Sequence, residues 1–118
     1  MHKKLGVILS DRGSKYAVSG GPAKNRAEVD ALLKSLKRDK AYAKATHNTW
    51  GVLFADGTPL KGDDGESGAG MVILRMLERE GRTGEIIVVT RWFGGTKLGG
   101  DRFRRVQDCV RIWLDKTS

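Results

Sequence analysis

The stretch Glu85-Ile86-Ile87-Val88-Val89-Thr90-Arg91-Trp92 restricts the fold more than any other part of the chain. Ile86 to Val89 are four consecutive β-branched residues. Such side chains lose rotamer freedom in a helix and pack well on a pleated surface. A run with apolar residues on both alternating sets reads as a strand near the centre of a sheet. Alternation puts Ile87, Val89 and Arg91 on one face, and Ile86, Val88, Thr90 and Trp92 on the other.

The rest of the chain supplies partners for this strand. Leu5 to Leu9 reads as a strand, Asp11-Arg12-Gly13-Ser14 as a turn, and Tyr16 to Val18 as a second strand stopped by Gly20-Gly21-Pro22, which suggests an opening hairpin. Asn25 with Glu28 makes a capping pair, and Val29, Leu32, Leu33 and Leu36 recur at helical spacing, so a helix is expected over about residues 25–39. Residues 47–54 alternate as a strand, with Trp50, Val52 and Phe54 opposite His47, Thr49 and Leu53. A turn-rich loop from Ala55 to Glu66 leads into a second helix carrying Ala69, Val72, Ile73, Met76 and Leu77, closed by Gly81. The last helix starts after Gly99-Gly100 with Asp101 as N-cap and has an apolar stripe of Phe103, Val106, Val110, Trp113 and Leu114. The expected class is therefore α+β, in the order ββαβαβα: a two-layer α/β sandwich of four strands with three helices on one face. The opposite sheet face would then be open and suited to a partner or a second copy of the chain.

With 118 residues, the chain is read as one domain over residues 1–118, without an internal repeat or linker. No apolar run approaches the roughly 18 residues of a membrane span. Met1-His2-Lys3-Lys4 leads into a strand instead of a signal sequence, so a cytoplasmic protein with no membrane partner is expected. The lone Cys109 excludes an internal disulfide, and no Cys/His spacing resembles a zinc site. The net charge of +8 is uneven: residues 1–44 carry 11 basic and 4 acidic groups, residues 45–90 carry 4 and 7, and residues 91–118 carry 7 and 3. Basic ends favour phosphate backbones or acidic protein surfaces, and also serve solubility.

Two constellations carry candidate chemistry. In Gly62-Asp63-Asp64-Gly65-Glu66-Ser67-Gly68, three carboxylates within four residues form an acidic loop that, with His47, is a candidate magnesium site. The structural alternative is a turn whose acidic residues cap the following helix. Ser67 is one glycine short of a nucleophile elbow, and a long polar loop precedes it instead of a strand. The second constellation is Arg91-Trp92-Phe93-Gly94-Gly95-Thr96-Lys97-Leu98-Gly99-Gly100-Asp101-Arg102. Its glycines let backbone approach a ligand closely, and it ends at a helix N-terminus suited to an anion. It matches neither the P-loop nor the dinucleotide fingerprint. Pairs at i,i+4 along the last helix (Asp101 with Arg105, Arg104 with Asp108, Arg111 with Asp115) engage most of its arginines. Arg91, Lys97 and Arg102 are left without a local partner. The expected contact set is thus Arg91, Trp92, Gly94, Gly95, Lys97, Gly99, Asp101 and Arg102.

Taken jointly, these motifs resemble the IMPACT/YigZ family, and its IMPACT branch more closely. The residues that carry the resemblance are Asp11-Arg12-Gly13-Ser14-Lys15-Tyr16, Ala45-Thr46-His47-Asn48, Asp63-Asp64-Gly65-Glu66 with Ala69-Gly70, and Arg91-Trp92-Phe93-Gly94-Gly95 with Leu98-Gly99 and Asp101-Arg102-Phe103. The resemblance implies a domain like the second domain of ribosomal small-subunit protein five. It also implies a role in translational or stress regulation, with nucleic acid suspected as a ligand of the YigZ-like members. Arg91-Trp92-Phe93 stands where relatives more usually have Arg-Trp-Tyr, Arg-Tyr-Tyr or Arg-Tyr-Phe.

The leading expectation is a non-enzymatic binding and regulatory module that contacts RNA or a ribosome-associated protein and needs no cofactor. One alternative is a magnesium-dependent hydrolase or phosphotransferase built on Asp63, Asp64, Glu66 and His47. The other is a protein interaction module or homodimer using the open sheet face.

Overall fold

A computed structural model describes residues 2–117. The described elements are β1 (Lys3–Asp11), β2 (Ser14–Pro22), α1 (Arg26–Leu36), α2 (Lys40–Ala43), β3 (His47–Leu53), β4 (Pro59–Gly62), α3 (Ala69–Glu80), β5 (Glu85–Trp92) and α4 (Asp101–Thr117). They build one sheet in the order β1-β2-β5-β3-β4, with every neighbouring pair antiparallel. The β-branched strand β5 occupies the middle, hydrogen-bonded to β2 along one side and β3 along the other. Ile86, Ile87 and Val88 are fully buried. No helix among the described residues is long and apolar enough to cross a membrane.

The α+β class holds, with one strand more than expected. The additional strand, β4, lies in the segment expected to be loop. It has 4 residues and begins at Pro59, and so short a stretch with proline at its start lacks the alternation that marks a strand. Pairing with Trp50–Leu53 on β3 makes it a strand.

The helices also divide between the two faces of the sheet. Tyr16, Val18, Ile87 and Val89 pack under α3 and α4, against Ile73, Leu77, Val106, Val110 and Trp113. Ala17, Trp50, Val52, Ile86 and Val88 pack under α1 and α2, against Val29, Leu32, Leu36 and Tyr42. The face expected to be open therefore carries α1 and α2, which bury Ala17, Val52, Ile86 and Val88. Ile86 and Val88 are as apolar as Ile87 and Val89, and burying either pair removes a similar area from water. An amphipathic helix shows that it covers a face without showing which one.

Local signals explain the element boundaries. The Asn25 side chain accepts from the Glu28 amide at 3.0 Å, and the Glu28 carboxylate accepts from the Lys24 amide at 2.7 Å, so donors at the start of α1 are satisfied reciprocally. Asp39 caps the short α2 through the Ala41 amide. Gly81, at φ 65°, ends α3 in the left-handed conformation that favours glycine. Gly20 lets α4 approach the sheet: a Cβ there would lie 2.8 Å from the Trp113 indole and clash with the Ile86 carbonyl.

Candidate functional site

β2, β5 and β3 lie side by side, so their ends bring Tyr16, Arg91 and His47 into one row on the same sheet face. Arg91 is buried, at 6% exposure. Its Nη1 donates to Glu66 Oε1 at 2.9 Å, and Glu66 is itself 5% exposed. The guanidinium also lies 5.7 Å from the centres of the Tyr16 and Phe93 rings. Local spacing leaves Arg91 without a partner and free to reach a ligand from the surface; it is instead the centre of a buried ion pair. The pairing residue lies 25 positions away in sequence, beyond the reach of any local spacing rule. Burial, opposed by Arg91, pushes the Tyr16 phenol up to about 12, so it stays neutral.

The acidic loop closes the same network. His47 Nδ1 is 2.7 Å from the Asp64 carbonyl and Nε2 is 3.0 Å from Glu66 Oε2, so both ring nitrogens face acceptors. The Asp64 carboxylate accepts from the Asn48 amide at 2.7 Å. Asp63 accepts from the Gly68 and Gly70 amides at 3.1 and 2.9 Å, which satisfies donors at the start of α3. Burial works against ionisation of Asp63, but these two amides and Lys61 outweigh it and hold the carboxyl below its usual 3.8. Each of the three carboxylates is thus engaged with a different part of the fold. Among the described residues, no cluster of three or more His, Cys, Asp or Glu side chains converges as a metal ion requires.

The glycine-rich segment from Phe93 to Gly100 is anchored from below. The Phe93 amide donates to Thr46 Oγ1 at 2.9 Å and the Gly94 amide to Ser14 Oγ at 3.2 Å. Gly94 crosses directly over the β1–β2 turn, where a Cβ would overlap the Gly13 carbonyl and the Ser14 amide. Leu98 is buried, and Trp92 Nε1 donates to the Ala41 carbonyl at 2.9 Å. Above these anchors Phe93 stays 47% exposed, and Gly95, Lys97 and Gly99 are exposed.

Asp101 is the first helical residue of α4 rather than its N-cap, and its carboxylate pairs with Arg12 at 2.6 Å. Two of the expected i,i+4 pairs are replaced: Arg105 reaches Asp108 at 3.1 Å and Asp11 at 3.7 Å, and Arg104 lies 4.0 Å from Asp101. Arg111 reaches Glu80 on α3 at 3.7 Å. Arg104, Arg105 and Arg111 are ion-paired, in line with expectation, partly through i,i+3 contacts within the helix and partly through Asp11 and Glu80, which only the fold brings near. Lys97 makes no ion pair among the described residues. Arg102 donates to the Gly99 carbonyl at 2.6 Å and sits 4.4 Å from the Phe103 ring centre.

Two cavities flank Phe93. One, of about 300 Å³, is lined by His47, Arg91, Phe93, Lys97, Gly99 and Arg102 among others. The second, of about 560 Å³, is lined by Val7, Lys15, Tyr42, Trp92 and again Phe93. The structure therefore gathers Arg91, Trp92, Lys97, Gly99 and Arg102 around one ridge, while Asp101 turns away toward Arg12. Phe93 and Lys15 join the surface, the largely buried Tyr42 lines the larger cavity from the core side, and Ser14 and Thr46 join the anchors, without having been expected there. Ser14 and Thr46 sit inside recognisable motifs, but their hydroxyls accept from a loop some 47 to 80 residues away.

The chain matches the Impact N-terminal domain over residues 12–114. It is 31% identical over 125 residues to the protein IMPACT homolog of Caenorhabditis elegans, an alignment that covers 100% of this chain and 49% of that protein. It is 35% identical over 111 residues to the protein IMPACT of Mus musculus, covering 90% of this chain and 35% of that protein. The chain thus spans half or less of the length of these relatives. Among solved structures, a hypothetical protein superposes with a TM-score of 0.85 at 21% identity, covering 97% of this chain and 57% of that one, which shows a shared fold. The two-domain translational regulator Yih1 superposes with a TM-score of 0.57 at 31% identity, covering 90% of this chain and 43% of that one. A match over residues 12–114 takes in nearly every described element, together with the Arg91, Glu66 and His47 network, and the chain belongs to the Impact N-terminal domain family.

Proposed function

We propose that this chain is a non-enzymatic binding module acting in translational regulation, and that it contacts RNA exposed on the ribosome or on ribosome-associated particles. The observation that carries the reading is the ridge at Phe93: a 47% exposed aromatic ring flanked by Lys97 and Arg102 on a loop tied to Thr46 and Ser14. An exposed ring beside cations with donors to spare is what nucleic acid engages, through base stacking and phosphate neutralisation. The likeness to the regulator Yih1 supports the translational setting. His47, Asp63, Asp64 and Glu66 each make contacts that hold the loop before α3 in place, which gives them a structural part in positioning the ridge. Arg91 acts from beneath as the post that positions the ridge.

Fluorescence anisotropy with a structured RNA, titrated at salt from about 50 to about 200 mM, tests the reading. The expected result is affinity that falls with salt. The double variant Lys97→Glu, Arg102→Glu should bind at least about tenfold more weakly, with a log–log salt slope shallower by about 2. Salt-independent binding, or unchanged affinity in the double variant, would refute it; capture of a protein partner unaffected by nuclease would point to protein recognition instead.

A further inference from the structure

We infer that the smaller cavity beside Phe93 receives the terminal phosphate of a single-stranded RNA, with the end base stacked on the Phe93 ring. This rests on the RNA-binding reading above and narrows it to one class of RNA. The cavity has about 300 Å³, at the small end for ligand pockets. That suffices for a phosphate group and part of its sugar, but not for a duplex.

Charge accounting around the cavity selects the ligand. Glu66 is ion-paired with Arg91, and Asp101 with Arg12 and Arg104. The anions nearby are therefore already compensated. Lys97 forms no ion pair among the described residues, and Arg102 spends one N–H on the Gly99 carbonyl at 2.6 Å while its remaining donors stay available. Two cations with donors to spare thus face one small cavity. An internal phosphodiester carries a single negative charge, whereas a terminal phosphate monoester carries about −1.5 to −2 near neutral pH. The cavity suits the monoester better in both size and charge.

The wall shared with the second cavity argues for a nucleotide as the bearer of that phosphate. Phe93 lines both cavities, and the larger one, of about 560 Å³, adds Tyr42, Trp92 and Lys15. Tyr42 and Trp92 are fixed edge to face, with centroids 5.3 Å apart. The Arg91 guanidinium lies 5.7 Å from the Phe93 ring centre and steadies it from the buried side. A strand that places its terminal phosphate in the small cavity meets the Phe93 ring next. The following base then enters a groove with an aromatic wall and a lysine for its phosphate, where stacking tolerates any sequence.

The test compares short single-stranded RNAs of one sequence, bearing a 5′-phosphate, a 3′-phosphate or no terminal phosphate, by fluorescence anisotropy with the label on the opposite end. One phosphorylated form should bind about tenfold tighter than the hydroxyl form, the size expected of charge-assisted hydrogen bonds to one added group. Lys97→Ala and Arg102→Ala should each shrink that preference, whereas Phe93→Ala should weaken all three RNAs. Circular dichroism checks that these surface variants remain folded. Equal affinity for phosphorylated and hydroxyl ends would overturn the inference. If structured RNA still binds with steep salt dependence in that case, the RNA-binding reading stands and only the end-recognition falls; if no RNA binds at all, both fall.

Discussion

Arg91 Nη1 and Glu66 Oε1 lie 2.9 Å apart, with both side chains less than a tenth exposed, at the point where the central strand meets the loop before α3. Around this pair His47, Ser14 and the Tyr16 ring complete a polar cluster at the edge of the hydrophobic core. Two of the most visible motifs in the chain, Asp63-Asp64-Gly65-Glu66 and Arg91-Trp92-Phe93, are thereby halves of one structural unit. The exposed ridge at Phe93 takes its position from that unit.

A buried charge is costly when its partner is removed, because the remaining ion keeps its desolvation penalty without compensation. Glu66→Gln and Arg91→Met should each destabilise the domain by about 3 to 5 kcal/mol. The double variant should cost less than the sum of the two, since neither charge is then stranded. Urea denaturation of the four proteins in the cycle measures this. Single-variant costs under about 1 kcal/mol would mean that the pair behaves like a surface ion pair.

Gly94 offers a second test, directed at the loop itself. A methyl group there overlaps the Gly13 carbonyl and the Ser14 amide, both backbone atoms that cannot swing aside. Gly94→Ala should therefore lift the loop, destabilise the domain by about 1 to 3 kcal/mol and weaken RNA binding. Gly100→Ala is the matched control, because a Cβ at Gly100 meets no atom within 4 Å. Thermal unfolding and anisotropy read both effects; equal behaviour of the two variants would show that the close crossing does not hold the loop.

Asp63 predicts a pH dependence. Its carboxyl is held below 3.8 in the folded chain by amides that favour the charged form. A depressed folded-state pKa contributes stability that is present above the unfolded value and disappears as pH falls through the folded value. The wild-type protein should thus lose this contribution as the pH is lowered below about 4. Asp63→Asn should be less stable than wild type at neutral pH, with the gap narrowing in acid. Denaturation midpoints at a series of pH values check the sign, and a gap that widens in acid would contradict it.

How much of the molecule is legible in its sequence depends on the range of the interaction that decides each feature. The central strand, the opening hairpin and the Asn25 cap of α1 are readable because β-branching, turn residues and capping act within a few positions. β4 is not, because a strand of 4 residues is defined by its neighbour rather than by its own pattern. Arg104, Arg105 and Arg111 are ion-paired, which their spacing suggests, but Arg105 also reaches back to Asp11 and Arg111 across to Glu80. Arg91 looks available in the sequence because its partner lies 25 positions away.

The sequence by itself determined the α+β class, the family, the alternation of β5 and the uneven basic charge, all of which follow from composition, short spacing or motif order. Only the tertiary structure decided that helices cover both faces of the sheet, that Arg91 is buried against Glu66, and that Phe93, Lys97 and Arg102 form the surface left over. The physical reason is that burial and ion pairing are settled by which segments meet in space. A residue such as Arg91 carries the same charge whether it faces solvent or a buried carboxylate, and its chain neighbours do not distinguish the two.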